Sequence, residues 1–168
     1  MFPVLRPILN RGGAGFSISR QETADRLRPH VARGLDLLRI YSALLPRVED
    51  REIAHRITPL MPFFRTELGK LYESIFSAGG TAPTGVDVDF EAGIDDAARD
   101  PVGILVLAER EFGRAVSDEI DAVHHQERTR AILKAVAAGS NGRMDVLREL
   151  AGRRPARGGA ITAGDDAH

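Results

Sequence analysis

Apolar residues recur at intervals of three and four along most of the chain, the spacing of amphipathic helices. A first run extends from Ser19 to Pro46, and Ser19 with Glu22 has the form of a capping box. A second run extends from about residue 48 to Phe76 and ends at Gly79–Gly80. The pattern predicts one helix for each run.

Pro59 and Pro62 interrupt the second run without shifting the phase of its apolar face. Each proline lacks an N–H and removes a helical hydrogen bond, so the run either bends or divides into two helices. Because the apolar phase continues across the prolines, we favour one kinked helix.

A segment rich in Gly, Thr, Pro and Asp, residues 79–99, is predicted to be a long crossover between the second and third helices. Asp100–Pro101 has the form of an N-cap followed by a first-turn proline. The third helix is expected to end at Gly139–Gly142 and a short last helix to cover residues 143–151. No stretch alternates like a strand, so the fold class is predicted to be all-α.

The same pattern divides the chain into three parts. Residues 1–18 lack a lasting period and are predicted to be a flexible arm, residues 19–151 a helical bundle, and residues 152–168 a disordered tail.

Composition narrows the function classes. The 168 residues carry 23 Lys and Arg against 24 Asp and Glu, a net charge of -1, which argues against nucleic-acid binding. Cysteine is absent, so disulfides, thiolate nucleophiles and cysteine-ligated metals are excluded. No apolar run reaches the roughly 20 residues of a membrane span, and no signal-peptide core is evident. We expect a soluble cytoplasmic protein.

Two acid-x-x-His pairs carry the most specific chemistry in the chain. Glu52 precedes His55 by three residues, and Asp121 precedes His124 by three. Residues three apart share a helix face, so each pair would offer a carboxylate and an imidazole to one metal ion.

The order of helices and crossover resembles the ferritin-like superfamily, especially its rubrerythrin-like and stress-associated bacterial members, over roughly residues 20–151. The resemblance is carried by Tyr41, Val48-Glu49-Asp50, Gly79-Gly80 and Asp100-Pro101. It implies an antiparallel four-helix bundle with up-down helix pairs joined by the crossover.

The resemblance also implies a site for a metal pair, held by two Glu residues and two Glu-x-x-His motifs. Glu52 with His55 would match one motif, and Asp121 with His124 would be a variant of the other. Glu109 or Glu111 would supply a bridging carboxylate. The middle of the second helix, however, has apolar side chains where that family places ligands.

Three hypotheses of function remain open. The preferred one is a non-catalytic bundle without a cofactor that binds a protein partner or forms a homo-oligomer, through apolar helix surface and the Phe2–Leu5 part of the arm. The alternative is a di-metal carboxylate protein that binds iron or another transition metal, for iron storage or oxidative-stress handling. The third is a histidine phosphotransfer module, because His30 to Gly34 echoes the His-x-x-basic-Gly run of such bundles; a plain exposed histidine also fits.

Overall fold

All regular structure in the described part of the chain is helical. The computed structural model describes residues 6–81, 83, 100–123 and 126–153, and no strand occurs among them. The helices are α1 (Arg6–Leu44), a 3-10 turn (Leu45–Arg47), α2 (Arg51–Ile57), α3 (Leu60–Ser77), α4 (Pro101–Ala122) and α5 (Glu127–Gly152). The predicted all-α class is confirmed for these residues.

The first helix is longer than its apolar period indicates. It begins at Arg6, so Ser19 lies inside it and not at its start. Residues 6–18 of the predicted arm are therefore helical, whereas residues 1–5 lie outside the described part. The division into arm, bundle and tail is not tested by this and stays a prediction.

The two prolines of the second run coincide with an interruption of helical hydrogen bonding. Asp50 caps α2, since its side chain accepts hydrogen bonds from the backbone N–H groups of Glu52 and Ile53. The helix ends at Ile57, and α3 starts after Pro59. Whether the pair forms one kinked rod stays a prediction.

The break between the last two helices lies at a different place from the predicted one. Asp100 caps α4 as predicted, accepting a hydrogen bond of 3.0 Å from the backbone N–H of Gly103. α4 ends at Ala122, and α5 continues through Gly139 and Gly142 to Gly152. The predicted end at Gly139–Gly142 and the separate last helix are wrong. An interior glycine costs about 1 kcal/mol relative to alanine, and packing of α5 against α3 and α4 offsets this cost.

The core lies between the four longer helices. α1 packs against α3 and α4, and α5 packs against the same two helices. Gly34 brings α1 close to α3, because a methyl group there would overlap the Leu68 side chain. The largest fully buried side chains are Tyr41, Phe64, Leu27, Leu37, Leu44, Ile57, Leu68, Leu71, Ile75, Leu105, Leu133 and Leu147.

None of the described helices combines the length and the apolar content that crossing a bilayer requires.

Candidate functional site: a buried charge network and an interhelical groove

A carboxylate lies at the centre of this apolar core. Glu109 is 0% exposed, and it sits on the buried stripe of α4 with Leu105, Phe112 and Val116. The Tyr41 hydroxyl of α1 donates a hydrogen bond of 2.9 Å to Glu109 Oε2. A charge this deep requires a compensating partner.

Arg143 of α5 supplies that partner. Its Nε and Nη2 donate to Glu109 Oε1 at 3.0 and 2.8 Å, and its Nη1 donates to Glu67 Oε2 of α3 at 2.5 Å. The guanidinium carbon also lies 4.2 Å from the centre of the Phe64 ring, a cation–π arrangement. One buried cation thus joins two carboxylates, and each of the four longer helices contributes one member of the network.

The ionisation of the network follows from these contacts. Burial alone would lower the pKa of Arg143, but the hydrogen bonds and charges of Glu109 and Glu67 outweigh it and raise that pKa. Burial raises the pKa of Tyr41, and the nearby charge of Glu109 raises it further. Tyr41 therefore stays a hydrogen-bond donor and Arg143 stays a cation across the physiological range.

Small residues make room for the network. Gly113 lies beside Ser140 at the contact of α4 with α5, and the Ser140 hydroxyl donates to the Glu109 carbonyl oxygen at 3.2 Å. Gly139 lies against the Glu67 carboxylate. A side chain at either glycine would displace a group that holds or borders Arg143.

Sequence reasoning singled out Glu109 but missed Arg143. The available signal was an arginine among Val136, Leu147 and Leu150, which form the buried stripe of α5. The predicted helix boundary at Gly139–Gly142 separates Arg143 from Val136, so the pattern does not show these residues as one continuous helix face.

The structure does not bring Glu52, His55 or Asp121, the other predicted metal ligands that it describes, to Glu109. Glu52 and His55 are exposed on α2, and Glu52 Oε1 lies 4.0 Å from Arg153 Nη1, just beyond the carboxyl end of α5. Asp121 is exposed in the last turn of α4, next to the opposite end of α5. The 26 residues of α5 span about 39 Å.

The metal hypothesis therefore lacks a formed site in the described part of the chain. No group of three or more His, Asp or Glu side chains there is arranged to hold a metal ion. His124 lies outside the described residues, as does His125. The assignment of Glu52, His55, Glu109, Asp121 and His124 as ligands stays a prediction.

A second feature is a groove between α1 and α4, with a volume of about 700 Å³. Its apolar surface comes from Leu37 and Ile40 on α1 and from Ala108, Phe112 and Ala115 on α4. The charged residues that line it are Arg26, Arg33, Asp36, Glu111, Arg114, Asp118 and Glu119.

His30 lines the groove and is only 4% exposed, so its interpretation as an exposed histidine is wrong. Its Nε2 lies 3.5 Å from Glu119 Oε2, and Arg26 Nη1 lies 3.0 Å from the other oxygen of the same carboxylate. The His30 Nδ1 is buried and has no hydrogen-bond partner among the described residues. Burial lowers the pKa of His30, although Glu119 opposes the shift. The imidazole is therefore neutral at pH 7, with the Nε2 proton facing Glu119.

No known protein family, curated protein or solved structure matches the chain.

Proposed function

We propose that the protein is a non-catalytic, ferritin-like antiparallel helical bundle that works by protein–protein interaction, foremost by assembling with copies of itself. One observation carries the proposal: Arg143 lies between Glu67 and Glu109, hydrogen-bonded to both. In ferritin-like di-metal proteins, inward-facing carboxylates hold a pair of cations. Here a side-chain cation lies between the carboxylates in place of metal ions, so they act as a structural clamp.

Contacts between helices support the antiparallel arrangement. On α1 and α4, Arg26 meets Glu119 and Tyr41 meets Glu109, so rising numbers on one helix pair with falling numbers on the other. The same holds for α1 and α3, where Gly34 lies beside Leu68 and Ala24 lies beside Gly80. These two helices therefore also run in opposite directions. The crossover of residues 79–99 would then run the length of the bundle, as in ferritin-like folds.

The length of α1 supports an assembly role. Its 39 residues span about 58 Å, against about 27 Å for the 18 residues of α3. Ala24 lies beside Gly80, just past the end of α3, so the helical turns that precede Arg20 continue beyond that end. We expect these turns, with residues 1–5, to dock on another subunit.

Exposed apolar side chains supply further contact area. Phe63 is 68% exposed, Phe76 is 59% exposed and Leu107 is 49% exposed. Aromatic side chains are enriched in the cores of protein interfaces.

Light scattering after gel filtration tests the assembly role. The full chain is expected to form a defined oligomer at about 50 µM, a concentration well above a dissociation constant of about 1 µM. Deletion of residues 1–18 should lower its mass while the helical circular-dichroism signal of the remaining bundle persists. Deletion of residues 154–168 is the matched control and should change neither. A full chain that is monomeric, or a truncated chain of unchanged assembly state, would contradict the proposal.

Elemental analysis tests the non-catalytic part against the di-metal alternative. Protein purified from iron-supplemented cells is expected to hold metal well below one ion per chain. Stoichiometric metal that is lost on Glu52→Gln or His55→Gln substitution would favour the alternative.

The third hypothesis, phosphotransfer at His30, gains no support from a side chain that is 4% exposed.

A further inference from the structure

The groove between α1 and α4 has the dimensions of a small-molecule site. Its volume of about 700 Å³ falls within the roughly 300–1,000 Å³ of known ligand pockets. Ala108 and Ala115 line it on α4 one above the other, seven residues apart on one helix face, and Phe112 lies between them. The two small side chains widen the space between the helices, and the Phe112 ring with Leu37 gives it an apolar wall.

His30, which lines this groove, carries a buried polar atom without a hydrogen-bond partner. The imidazole is more than nine-tenths buried, and Nε2 faces Glu119. Nδ1 has no partner among the described residues. In the neutral tautomer that Glu119 selects, Nδ1 is a hydrogen-bond acceptor. Buried acceptors are paired in nearly all native structures, so a group that donates an O–H or N–H is the missing complement.

The charges around the groove favour a neutral occupant. Three arginines face four carboxylates across its lining. Arg26 is already paired with Glu119, and Arg114 lies 3.9 Å from Asp118. With charges of both signs interspersed, no strong field of one sign attracts an ion.

We propose that this groove binds a neutral small molecule with an apolar body and one hydroxyl or N–H group, which donates a hydrogen bond to Nδ1 of His30. The apolar body lies against Leu37 and Phe112. The inference stands apart from the proposed assembly role, because it uses neither the N-terminal turns of α1 nor the charge network.

Phenol and anisole form a matched pair of probes, since both carry an oxygen on an aromatic ring and only phenol can donate. Each is titrated into the isotope-labelled full chain at pH 7.5, and the ring nitrogens of the histidines are followed by NMR. Phenol is expected to shift His30 Nδ1 saturably and to bind about fivefold more tightly than anisole, the effect of one net hydrogen bond.

Variants assign the preference to His30. In His30→Phe, phenol and anisole should bind equally, whereas His55→Phe, on the exposed face of α2, should leave the fivefold preference unchanged. Should His30→Phe fail to fold by circular dichroism, Ala115→Leu gives the second test. It fills the groove and should abolish the binding of both probes.

Three results would overturn the proposal: phenol binding that does not saturate in the millimolar range, equal affinities of the two probes for the unmodified chain, or saturable binding that leaves His30 Nδ1 unshifted. The assembly state of the chain is measured separately, so failure here is distinguishable from failure of the proposed function.

Discussion

Arg143 donates two hydrogen bonds, of 3.0 and 2.8 Å, to the same oxygen of Glu109 at the centre of the core, where the two side chains are 4% and 0% exposed. The pair links α4 to α5 across 34 residues of sequence. Its charges are buried together, so the loss of Arg143 leaves Glu109 without a cation, whereas the loss of Glu109 leaves Arg143 paired with Glu67 alone. The change in the free energy of unfolding on each substitution therefore follows from the partners that it leaves unpaired.

Arg143→Met should destabilise the protein by about 3–5 kcal/mol, the usual cost of leaving one partner of a buried ion pair unpaired. Urea unfolding followed by circular dichroism measures the loss. The control is Arg56→Met, which breaks a two-pronged ion pair with Glu149 at the surface and should cost far less. Equal effects of the two substitutions would refute the assignment of Arg143 to a buried clamp.

The double variant Arg143→Met with Glu109→Met should recover much of the stability lost in Arg143→Met alone. Two apolar side chains of similar volume carry no desolvation penalty, and such replacements are often neutral or stabilising. The recovery is partial, because Glu67 and the Tyr41 hydroxyl lose their partners. The comparison also uses urea unfolding. Strictly additive losses in the double variant would show that the two charges do not interact.

Tyr41→Phe should cost about 1.5–3 kcal/mol, because it removes a buried hydrogen bond to a charged acceptor. Tyr72→Phe is the matched control. Tyr72 is half-buried and stacks on Phe76 at a ring distance of 6.5 Å, so the loss of its hydroxyl should change the free energy of unfolding little. A Tyr41→Phe protein as stable as the control would be inconsistent with the bond to Glu109.

The helices of this fold follow from local pattern, but its polar centre does not. The periodicity of apolar residues and the cap at Asp100 depend only on residues close together in the sequence. The all-α class and the start of α4 were therefore predictable. The continuity of α5 through Gly139 and Gly142 was not predictable, because both glycines carry a local helix penalty that only tertiary packing offsets.

The candidate sites depend on partners that are distant in sequence. His30 and Glu119 lie on different helices, as do Glu109 and Arg143. Contacts between residues so far apart in the chain cannot be inferred from a single sequence. Periodicity reveals that Glu109 lies on an apolar face. It does not distinguish a metal ligand from an ion pair, because both place a carboxylate in the core.

His30 should make the protein less stable as the pH falls below neutrality. Its pKa is lowered from an ordinary value of 6.5 by burial, so the unfolded chain takes up the proton first. The stabilisation is fully present above pH 6.5 and is lost as the pH falls from there toward the folded pKa. The charged groups placed around the ring are Glu119 on α4 and Arg26 and Arg33 on α1.

The measurement compares urea unfolding of the unmodified chain and of His30→Phe at pH 8 and pH 5.5. The variant lacks the ring that takes up the proton, so it should lose less stability between the two values. An NMR titration of the His30 ring should give a midpoint below the ordinary histidine pKa of 6.5. A midpoint above 6.5 would mean that the attraction of Glu119 outweighs burial.

Gly113→Ala should destabilise the protein by about 1 kcal/mol, although alanine is the better helix former. The added methyl carbon would lie 2.7 Å from Ser140 Oγ, and moving that hydroxyl breaks its bond to the Glu109 carbonyl. Gly142→Ala, where no atom lies within 4 Å, should instead stabilise α5 by about 0.5–1 kcal/mol. Combining Gly113→Ala with Ser140→Ala removes the colliding oxygen and should restore part of the loss. Thermal unfolding measures the stability of the three variants. Stabilisation by Gly113→Ala alone would show that α4 and α5 are not in close contact there.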